Sequence, residues 1–280
     1  MSLLPTPAWF VGCGNMAGAM VEGWRSAGVD LSSAVAIRPS GREVEGVRTV
    51  RTLAEAGPAP RLVVLGFKPQ QLDDVAPELS RWITSRTVIV SILAGVEVSS
   101  LRARFPNAAA IVRAIPNLPV AVRRGVVGLY SDDADGPLQQ QLWQAFSALG
   151  FAPWLSSEAE LAAIGSVAGA GPAYVARFIA ALTKAAQGRG LSEELALTVA
   201  RETVLGTAWM AAASGESMDE LARRVASPRG TTEAGLAVLD REGVLDGLID
   251  VTIQAAGRRA AELAAEARPG RQVDSGQSLP

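Results

Sequence analysis

Residues 9–17 read WFVGCGNMA, a short apolar segment followed by a glycine turn and the start of a helical pattern. The turn matches the dinucleotide-binding fingerprint Gly-x-Gly-x-x-Gly, with Ala17 in the third small position. Gly12 permits the tight turn, Gly14 lets a pyrophosphate approach the backbone, and the helix N-terminus faces the phosphates. The alternative is a glycine turn that binds no ligand. The position of this turn between a strand and a helix favours a nucleotide-binding site.

Outward from this stretch, strand-like and helix-like segments alternate. Predicted strands cover residues 9–11, 34–37, 62–67, 87–92, 109–114 and 125–130, and predicted helices cover 17–27, 71–82, 99–105 and 136–149. Strands separated by helices of this length imply βαβ crossovers. We therefore predict a Rossmann-type α/β domain over residues 1–155, with a doubly wound, mainly parallel sheet.

The chain changes character after about residue 155, where small and aliphatic residues recur at helical spacing. Two helix starts are marked by N-cap residues, since Ser192 precedes two glutamates and Ser217 pairs with Glu220 in a capping box. We predict an all-α domain over residues 156–266. Residues 267–280 are rich in Arg, Pro, Gly, Gln and Ser, which predicts a flexible tail.

Composition and charge exclude several classes of function. The 26 basic and 28 acidic residues give a net charge of −2, without the basic field that nucleic-acid binders use. No stretch approaches the roughly 20 continuous apolar residues of a membrane span, so we expect no membrane partner. Histidine is absent and Cys13 is the single cysteine, which excludes His-based nucleophile systems and multi-thiolate metal sites. A reducing, cytoplasmic compartment fits this composition.

The end of the second predicted strand bears on which nucleotide binds. A carboxylate there would bind the ribose 2′-hydroxyl of NAD, whereas an arginine favours the 2′-phosphate of NADP. Residues 37–42 read IRPSGR, with no carboxylate before Glu43. Arg38 and Ser40, with Arg42 as a third candidate, therefore predict a phosphate site; a solvated basic loop is the alternative.

Three further segments follow predicted strands, and ligands of such sheets bind outside the carboxyl ends of the strands. Two of them should line the cofactor cleft: one contains Gly66, Lys68 and Pro69, and the other Ala94 and Gly95. In the third, residues 113–119 (RAIPNLP), two prolines around Asn117 fix a rigid loop suited to holding a polar group against the nicotinamide. A purely structural turn is nearly as good an interpretation of that loop.

The helical half contains two more motifs. Residues 168–174, AGAGPAY, indicate close helix packing, with Pro172 breaking or restarting the helix. Residues 227–232, SPRGTT, place hydroxyls and free N–H groups at a helix N-terminus, which suits a carboxylate. The alternative is that Thr231 serves only as the helix N-cap.

Taken together, five motifs resemble those of the pyrroline-5-carboxylate reductase family, in order, from Phe10 to about Leu263. They are residues 12–17 (GCGNMA), 68–69 (KP), 113–119, 169–174 and 227–232. The resemblance implies a Rossmann domain, a helical dimerisation domain, and dimers of the kind that in this family often assemble further into decamers, as pentamers of dimers. It also implies reduction of the cyclic imine 1-pyrroline-5-carboxylate to L-proline with NADPH or NADH, and Arg38 with Ser40 favours NADPH.

The resemblance further implies residue roles. It places the substrate carboxylate at Ser227 and the backbone N–H groups of Gly230, Thr231 and Thr232, and puts the catalytic Thr232 hydroxyl near the ring nitrogen. No metal is implied. The cofactor-binding residues are then Gly12, Gly14, Asn15, Met16, Ala17, Arg38, Ser40, Gly66, Lys68, Pro69, Ala94, Gly95 and Asn117.

The chain departs from the family pattern at several positions. The family usually has Thr at Leu118, Ser at Ala168 and Ala170, Asn at Arg224 and Gly at Arg229. Because lost hydroxyls alter substrate hydrogen bonding, two alternatives stay open. One is a reductase of another cyclic imino acid, such as the six-membered homologue, and the other is a non-catalytic NADP-binding paralogue.

Overall fold

The computed structural model describes residues 3–266, which form two compact units. One unit comprises the chain up to Ala170 together with the segment from Ala256 onward, and the other comprises Gly171–Ala255. The domain boundary that the sequence suggests after residue 155 therefore stays a prediction. The predicted tail at 267–280 lies outside the described residues.

The first unit is built on one sheet. Its strands are Ala8–Val11 (β1), Ala34–Ile37 (β2), Arg48–Val50 (β3), Leu62–Leu65 (β4), Val88–Ser91 (β5), Ala110–Pro116 (β6), Gly125–Tyr130 (β7) and Gly150–Phe151 (β8). They are ordered β3-β2-β1-β4-β5-β6-β7-β8, and every neighbouring pair is parallel except β6 and β7. This order confirms the predicted Rossmann-type sheet.

Helices cover both faces of this sheet. They are Asn15–Ser26 (α1), Leu72–Leu79 (α2), Val98–Arg104 (α3), Gly136–Ser147 (α4) and Glu158–Ile164 (α5). On one face Phe10 contacts Trp24 of α1, which contacts Phe146 of α4, with ring centroids 5.9 and 5.5 Å apart. On the other face Trp9 packs among residues of α2 and α3. The central strands β1, β2, β4 and β5 are buried on both sides, as their apolar sequences require.

The sheet has a topological switch point between β1 and β4. From β1 the chain continues to β2 on one side, whereas β4 continues to β5 on the other. The carboxyl ends of β1 and β4 therefore lie side by side with their connections diverging, which opens the crevice where such sheets bind ligands. Gly12 follows β1 and Gly66 follows β4 at this point.

The remaining helices are Gly171–Gln187 (α6), Glu193–Ala213 (α7), Met218–Val225 (α8), Thr231–Leu239 (α9) and Val244–Glu266 (α10). Within residues 158–266 the structure has no strand, in agreement with the predicted all-α half. The Ser192 and Ser217 caps are both present. A π-helical turn at Gly165–Gly169 precedes α6, whose second residue is Pro172, so the helix restarts there as predicted.

The helical unit exposes large apolar side chains. Examples are Phe178 on α6, Leu205 on α7 and Leu248 on α10, which are 52%, 49% and 60% exposed. The stretch Glu158–Gln187 also has the length and apolar composition that a membrane span needs, although it contains charged residues and no long unbroken apolar run. One such helix is weak evidence for a membrane, because helices that pack in an oligomer have the same composition.

Candidate cofactor and substrate sites

Two glycines shape the turn between β1 and α1. Gly12 has φ +78°, and a Cβ there would lie 2.6 Å from the backbone nitrogen of Phe67. Gly14 has φ −82°, and a Cβ there would meet only Gly66 O, at 4.0 Å. Gly12 is therefore required by the fold itself, whereas Gly14 leaves open space in front of the helix.

The N-terminus of α1 opens onto that space. Gly14 is the N-cap, and it makes no side-chain capping hydrogen bond. The first intrahelical bond runs from Gly18 N to Gly14 O at 2.8 Å, so the N–H groups of Asn15, Met16 and Ala17 precede the helical ladder. An uncapped helix start with its partial positive charge is a suitable site for a diphosphate.

Small residues let this turn pack closely against β4. A Cβ on Gly66 would lie 2.6 Å from Gly12 O and 3.0 Å from the Cβ of Ala17. Ala17 therefore occupies the position in which the fingerprint needs a small residue for helix–strand packing. Lys68 and Pro69 follow at the start of a 3₁₀ turn, where the Lys68 N–H donates to Gln71 Oε1 at 3.2 Å.

Arg38 lies immediately after β2 and opens onto the same crevice as the glycine turn. A cleft of about 510 Å³ is lined by Gly14, Asn15, Arg38 and Arg42, among others. Arg38 Nη1 donates to the carbonyl of Arg42 at 3.1 Å, which holds the guanidinium in the turn. Three carboxylates also line the cleft: Glu22, Glu43 and Glu45.

Ser40 lies at the surface within the same turn, where its hydroxyl accepts a hydrogen bond from the backbone N–H of Arg42 at 3.3 Å. It is absent from the described lining of the cleft. The structure therefore brings Arg38 and Arg42 together with the glycine turn. The role of Ser40 toward a 2′-phosphate stays a prediction.

Cys13 contributes no nucleophile to this cleft. The thiol belongs to a residue that is 2% exposed, and burial raises its pKa to about 11, against a smaller lowering effect of the Arg38 charge. At neutral pH the thiol is therefore protonated, and the thiolate is the reactive form. Within residues 3–266 no cluster of three or more Cys, Asp or Glu is placed to hold a metal ion.

A second cleft of about 720 Å³ lies in the first unit at the carboxyl ends of β5 and β6. The loop with Ala94 and Gly95 forms part of its wall, together with Met16 from the start of α1. Gly95 has φ +76°, and a Cβ there would lie 2.7 Å from Ala264 N, so the end of α10 packs directly on this loop. The lining is mainly apolar and small, with charged groups only at Glu97, Arg113 and Glu158.

Asn117 is 6% exposed and uses its amide within the protein. Its Oδ1 accepts from the N–H of Val126 at 2.8 Å, and its Nδ2 donates to Ala168 O at 3.0 Å. These contacts tie the β6–β7 connection to the π-helical turn, which favours the structural interpretation of this loop. A direct contact of Asn117 with a nicotinamide stays a prediction.

The turn at residues 227–232 precedes α9. Gly230 is the N-cap without a side-chain capping bond, and Thr231 is the first helical residue, so the alternative of Thr231 as the N-cap is wrong. The Gly230 N–H donates to Ser227 O at 2.9 Å, and a Cβ on Gly230 would collide with Ser227 Oγ. Ser227 Oγ therefore lies close to Gly230, at the start of α9.

Arg229 lies within that turn at φ +59°, a left-handed conformation that favours glycine. Its N–H donates to Glu233 Oε2 at 2.5 Å, so the first turn of α9 reaches back to support the loop. Arg224 is paired with Glu216 at 2.7 Å. Sequence reasoning did not reveal either contact.

An ion pair between Arg113 and Glu158 also escaped the sequence analysis. The two residues are 45 positions apart, and the guanidinium Nη1 lies 2.8 Å from Glu158 Oε1. No local pattern links residues at such a separation. The one available signal was that Arg113 begins a motif at the end of a strand.

Two protein-family models match this chain. A model described as pyrroline-5-carboxylate reductase dimerisation matches residues 158–263. A model of coenzyme F420-dependent NADP oxidoreductases matches residues 9–95. The first therefore covers the helical half, and the second covers the part of the sheet that carries the glycine turn.

Similar proteins cover nearly the whole chain. A pyrroline-5-carboxylate reductase of Pseudomonas aeruginosa is 37% identical over 262 residues, which are 91% of this chain and 96% of that protein. A solved pyrroline-5-carboxylate reductase of Coxiella burnetii has a TM-score of 0.84 at 33% identity, covering 93% of this chain and 99% of the other. The Plasmodium falciparum pyrroline carboxylate reductase, solved with NADP bound, has a TM-score of 0.82 at 23% identity, covering 92% and 97% of the two chains.

Proposed function

This chain belongs to the pyrroline-5-carboxylate reductase family, and on that premise we propose that it reduces 1-pyrroline-5-carboxylate to L-proline with NADPH. The crevice at the carboxyl ends of β1 and β4 carries the proposal. There the uncapped start of α1 and the open space before Gly14 fit a dinucleotide diphosphate. Arg38 in the same cleft fits the additional phosphate of NADP.

NADPH, when bound, supplies the hydride that reduces the C=N bond. The residues of the chain bind and orient the two reactants. The N–H groups of Asn15, Met16 and Ala17 hold the diphosphate, and Arg38 with Ser40 holds the 2′-phosphate. The apolar cleft beside Ala94 and Gly95 receives the nicotinamide end and keeps water away from it.

The turn before α9 holds the substrate. Ser227 and the first-turn N–H groups bind the carboxylate, and the Thr232 hydroxyl orients the ring nitrogen. A threonine hydroxyl is a poor acid, so the imine binds already protonated or receives its proton from a water that Thr232 holds. Placing two bound reactants correctly contributes about 7–11 kcal/mol of barrier reduction, so no histidine or other strong acid is required.

The proposal is tested by following NADPH absorbance with 1-pyrroline-5-carboxylate and with a six-membered cyclic imino acid. We expect turnover with the five-membered ring and formation of proline. A higher kcat/KM for the six-membered ring would reassign the substrate, since the chain lacks hydroxyls at Ala168 and Ala170. Binding of NADPH without turnover of either imine would mean a non-catalytic paralogue.

Arg38→Asp is expected to weaken NADPH selectively. One or more charged hydrogen bonds to the 2′-phosphate disappear and a repulsive charge replaces them, so KM for NADPH should rise about 10- to 100-fold. NADH has no 2′-phosphate and serves as the internal control, with its KM little changed. An equal loss for both cofactors would contradict the assignment of Arg38 to the phosphate.

The helical half makes the chain an oligomer, and we propose a homodimer built through α6, α7 and α10, with pentamers of dimers as its larger assembly. Exposed apolar side chains on these helices support this, since a monomer would leave them in water. Packing between the subunits also explains why the stretch Glu158–Gln187 is apolar, so no membrane is needed to cover it. We propose that the protein is located in the cytoplasm, where the thiol of Cys13 stays reduced.

Light scattering at micromolar concentration should give at least twice the 29.1 kDa of one chain. Phe178→Glu, which puts a charge on the exposed apolar face of α6, should dissociate the dimer because an unpaired buried charge is costly. Lys184→Ala, a change at an exposed polar position of the same helix, is the matched control. A fully active monomer of the wild-type chain would contradict the proposal.

A further inference from the structure

Three elements meet at the carboxylate of Glu158. Its Oε1 accepts a hydrogen bond from Arg113 Nη1 at 2.8 Å and another from the backbone N–H of Val98 at 2.9 Å. Arg113 lies on β6, Val98 begins α3 and Glu158 begins α5. A single carboxylate oxygen therefore fixes the positions of a strand and two helices.

Burial makes this contact important for both partners. The Arg113 side chain is only 8% exposed, and a buried guanidinium needs a carboxylate partner, which Glu158 supplies with 31% exposure. The N–H of Val98 belongs to the first turn of α3, where N–H groups lack intrahelical partners and a negative charge is favourable. Without the carboxylate, both donors would lose this acceptor.

The same carboxylate borders the apolar cleft at the ends of β5 and β6. Glu158 and Arg113 line that cleft together with the loop that carries Ala94 and Gly95. In this loop Gly95 packs against Ala264 of α10, and the N–H of Val98, three residues later, donates to Glu158. The second contact depends on the side chain of Glu158.

We propose that Glu158 is a positioning residue for the nicotinamide end of NADPH, an inference that rests on the NADPH-dependent function proposed above. It acts through Val98 and Arg113, which keep the 94–97 loop and the end of β6 in place as two walls of the cleft. Hydride transfer requires reacting atoms about 3–3.5 Å apart, and a displacement of about 1 Å can cost 10²-fold in rate. Anchoring these walls therefore governs both nicotinamide binding and turnover.

Two variants of Glu158, each tested with two nucleotides, distinguish a role in positioning the nicotinamide from a general contribution to protein stability. Glu158→Ala removes the acceptor, whereas Glu158→Gln retains an amide oxygen that can accept from Val98 but loses the charge. Glu160→Gln is the matched control, because Glu160 lies on the same helix and its exposed carboxylate accepts from Ser156 N at 2.8 Å. The probes are NADPH and 2′,5′-ADP, which carries the adenosine phosphates but no nicotinamide.

We expect Glu158→Ala to raise the Kd of NADPH and lower kcat by about tenfold or more, while the Kd of 2′,5′-ADP stays unchanged. Glu158→Gln should fall between this variant and the wild type, and Glu160→Gln should match the wild type. Equal losses for both nucleotides with a lower Tm would overturn the proposal in favour of a purely structural role. If Glu158→Ala bound NADPH and turned over substrate as well as the wild type does, the proposal would be overturned outright.

This comparison is independent of the imine. A wild-type protein that binds NADPH but reduces no cyclic imine would refute the proposed reaction, and the ratio of the two nucleotide Kd values would still decide the role of Glu158. A variant whose kcat alone falls, with both Kd values unchanged, would place Glu158 outside nicotinamide binding and overturn the inference.

Discussion

Gly14→Ala is expected to fold as stably as the wild type and to bind NADPH about 10- to 100-fold more weakly. Its backbone, at φ −82° and ψ −156°, is accessible to alanine, and the nearest atom to the new methyl group would be Gly66 O at 4.0 Å. The methyl group therefore costs the free protein little. It fills the space through which a diphosphate must approach the start of α1. Titration of NADPH fluorescence and the Tm of the free protein measure the two effects.

Gly12→Ala is the contrasting variant from the same turn. At φ +78° an alanine is strained by about 1–2 kcal/mol. Its Cβ would also lie 2.6 Å from the Phe67 backbone nitrogen, which cannot move without disturbing the end of β4. We expect a lower Tm even without nucleotide. If Gly14→Ala kept its NADPH affinity, the turn would be structural and the cofactor would bind elsewhere.

The strands that the sequence predicted share a physical property. Residues 34–37 and 125–130 are strands with the predicted bounds, because unbroken apolar runs between turn residues have few other stable conformations. β3 and β8 were missed, since Arg48–Val50 and Gly150–Phe151 are short and Phe151 is 68% exposed. Such strands form because a neighbouring strand offers hydrogen bonds, and a local pattern does not contain that information.

The same distinction applies to the candidate site. The glycine turn was predictable because its function lies in backbone conformation, which Gly12 and Gly14 reveal directly in the sequence. The bond from Val98 to Glu158 joins residues 60 positions apart and depends on the folded sheet. Arg229 marks an intermediate case: the family pattern suggested glycine, and the observed φ of +59° supplies the physical reason.

The second large effect concerns the turn at 227–232. Ser227→Ala should raise the KM of the imine substrate roughly tenfold or more, because a hydrogen bond to a charged group is worth about 1.5–3 kcal/mol. NADPH affinity should barely change. Thr232→Ala should lower kcat as well as raise KM, since its hydroxyl also orients the ring nitrogen. Steady-state kinetics with NADPH saturating and the imine varied measure both parameters.

Thr207→Ala is the matched control. The exposed hydroxyl of Thr207 donates to the carbonyl of Thr203 in its own helix at 2.8 Å, and Thr207 lies outside the turn at 227–232. It should leave KM and kcat unchanged. If Ser227→Ala and Thr232→Ala instead lost NADPH binding and kept the wild-type KM for the imine, the turn would belong to the cofactor. The carboxylate of the imine would then need a different binding group. Arg229 is the next candidate to test, because the carboxylate of Glu216 already pairs with Arg224.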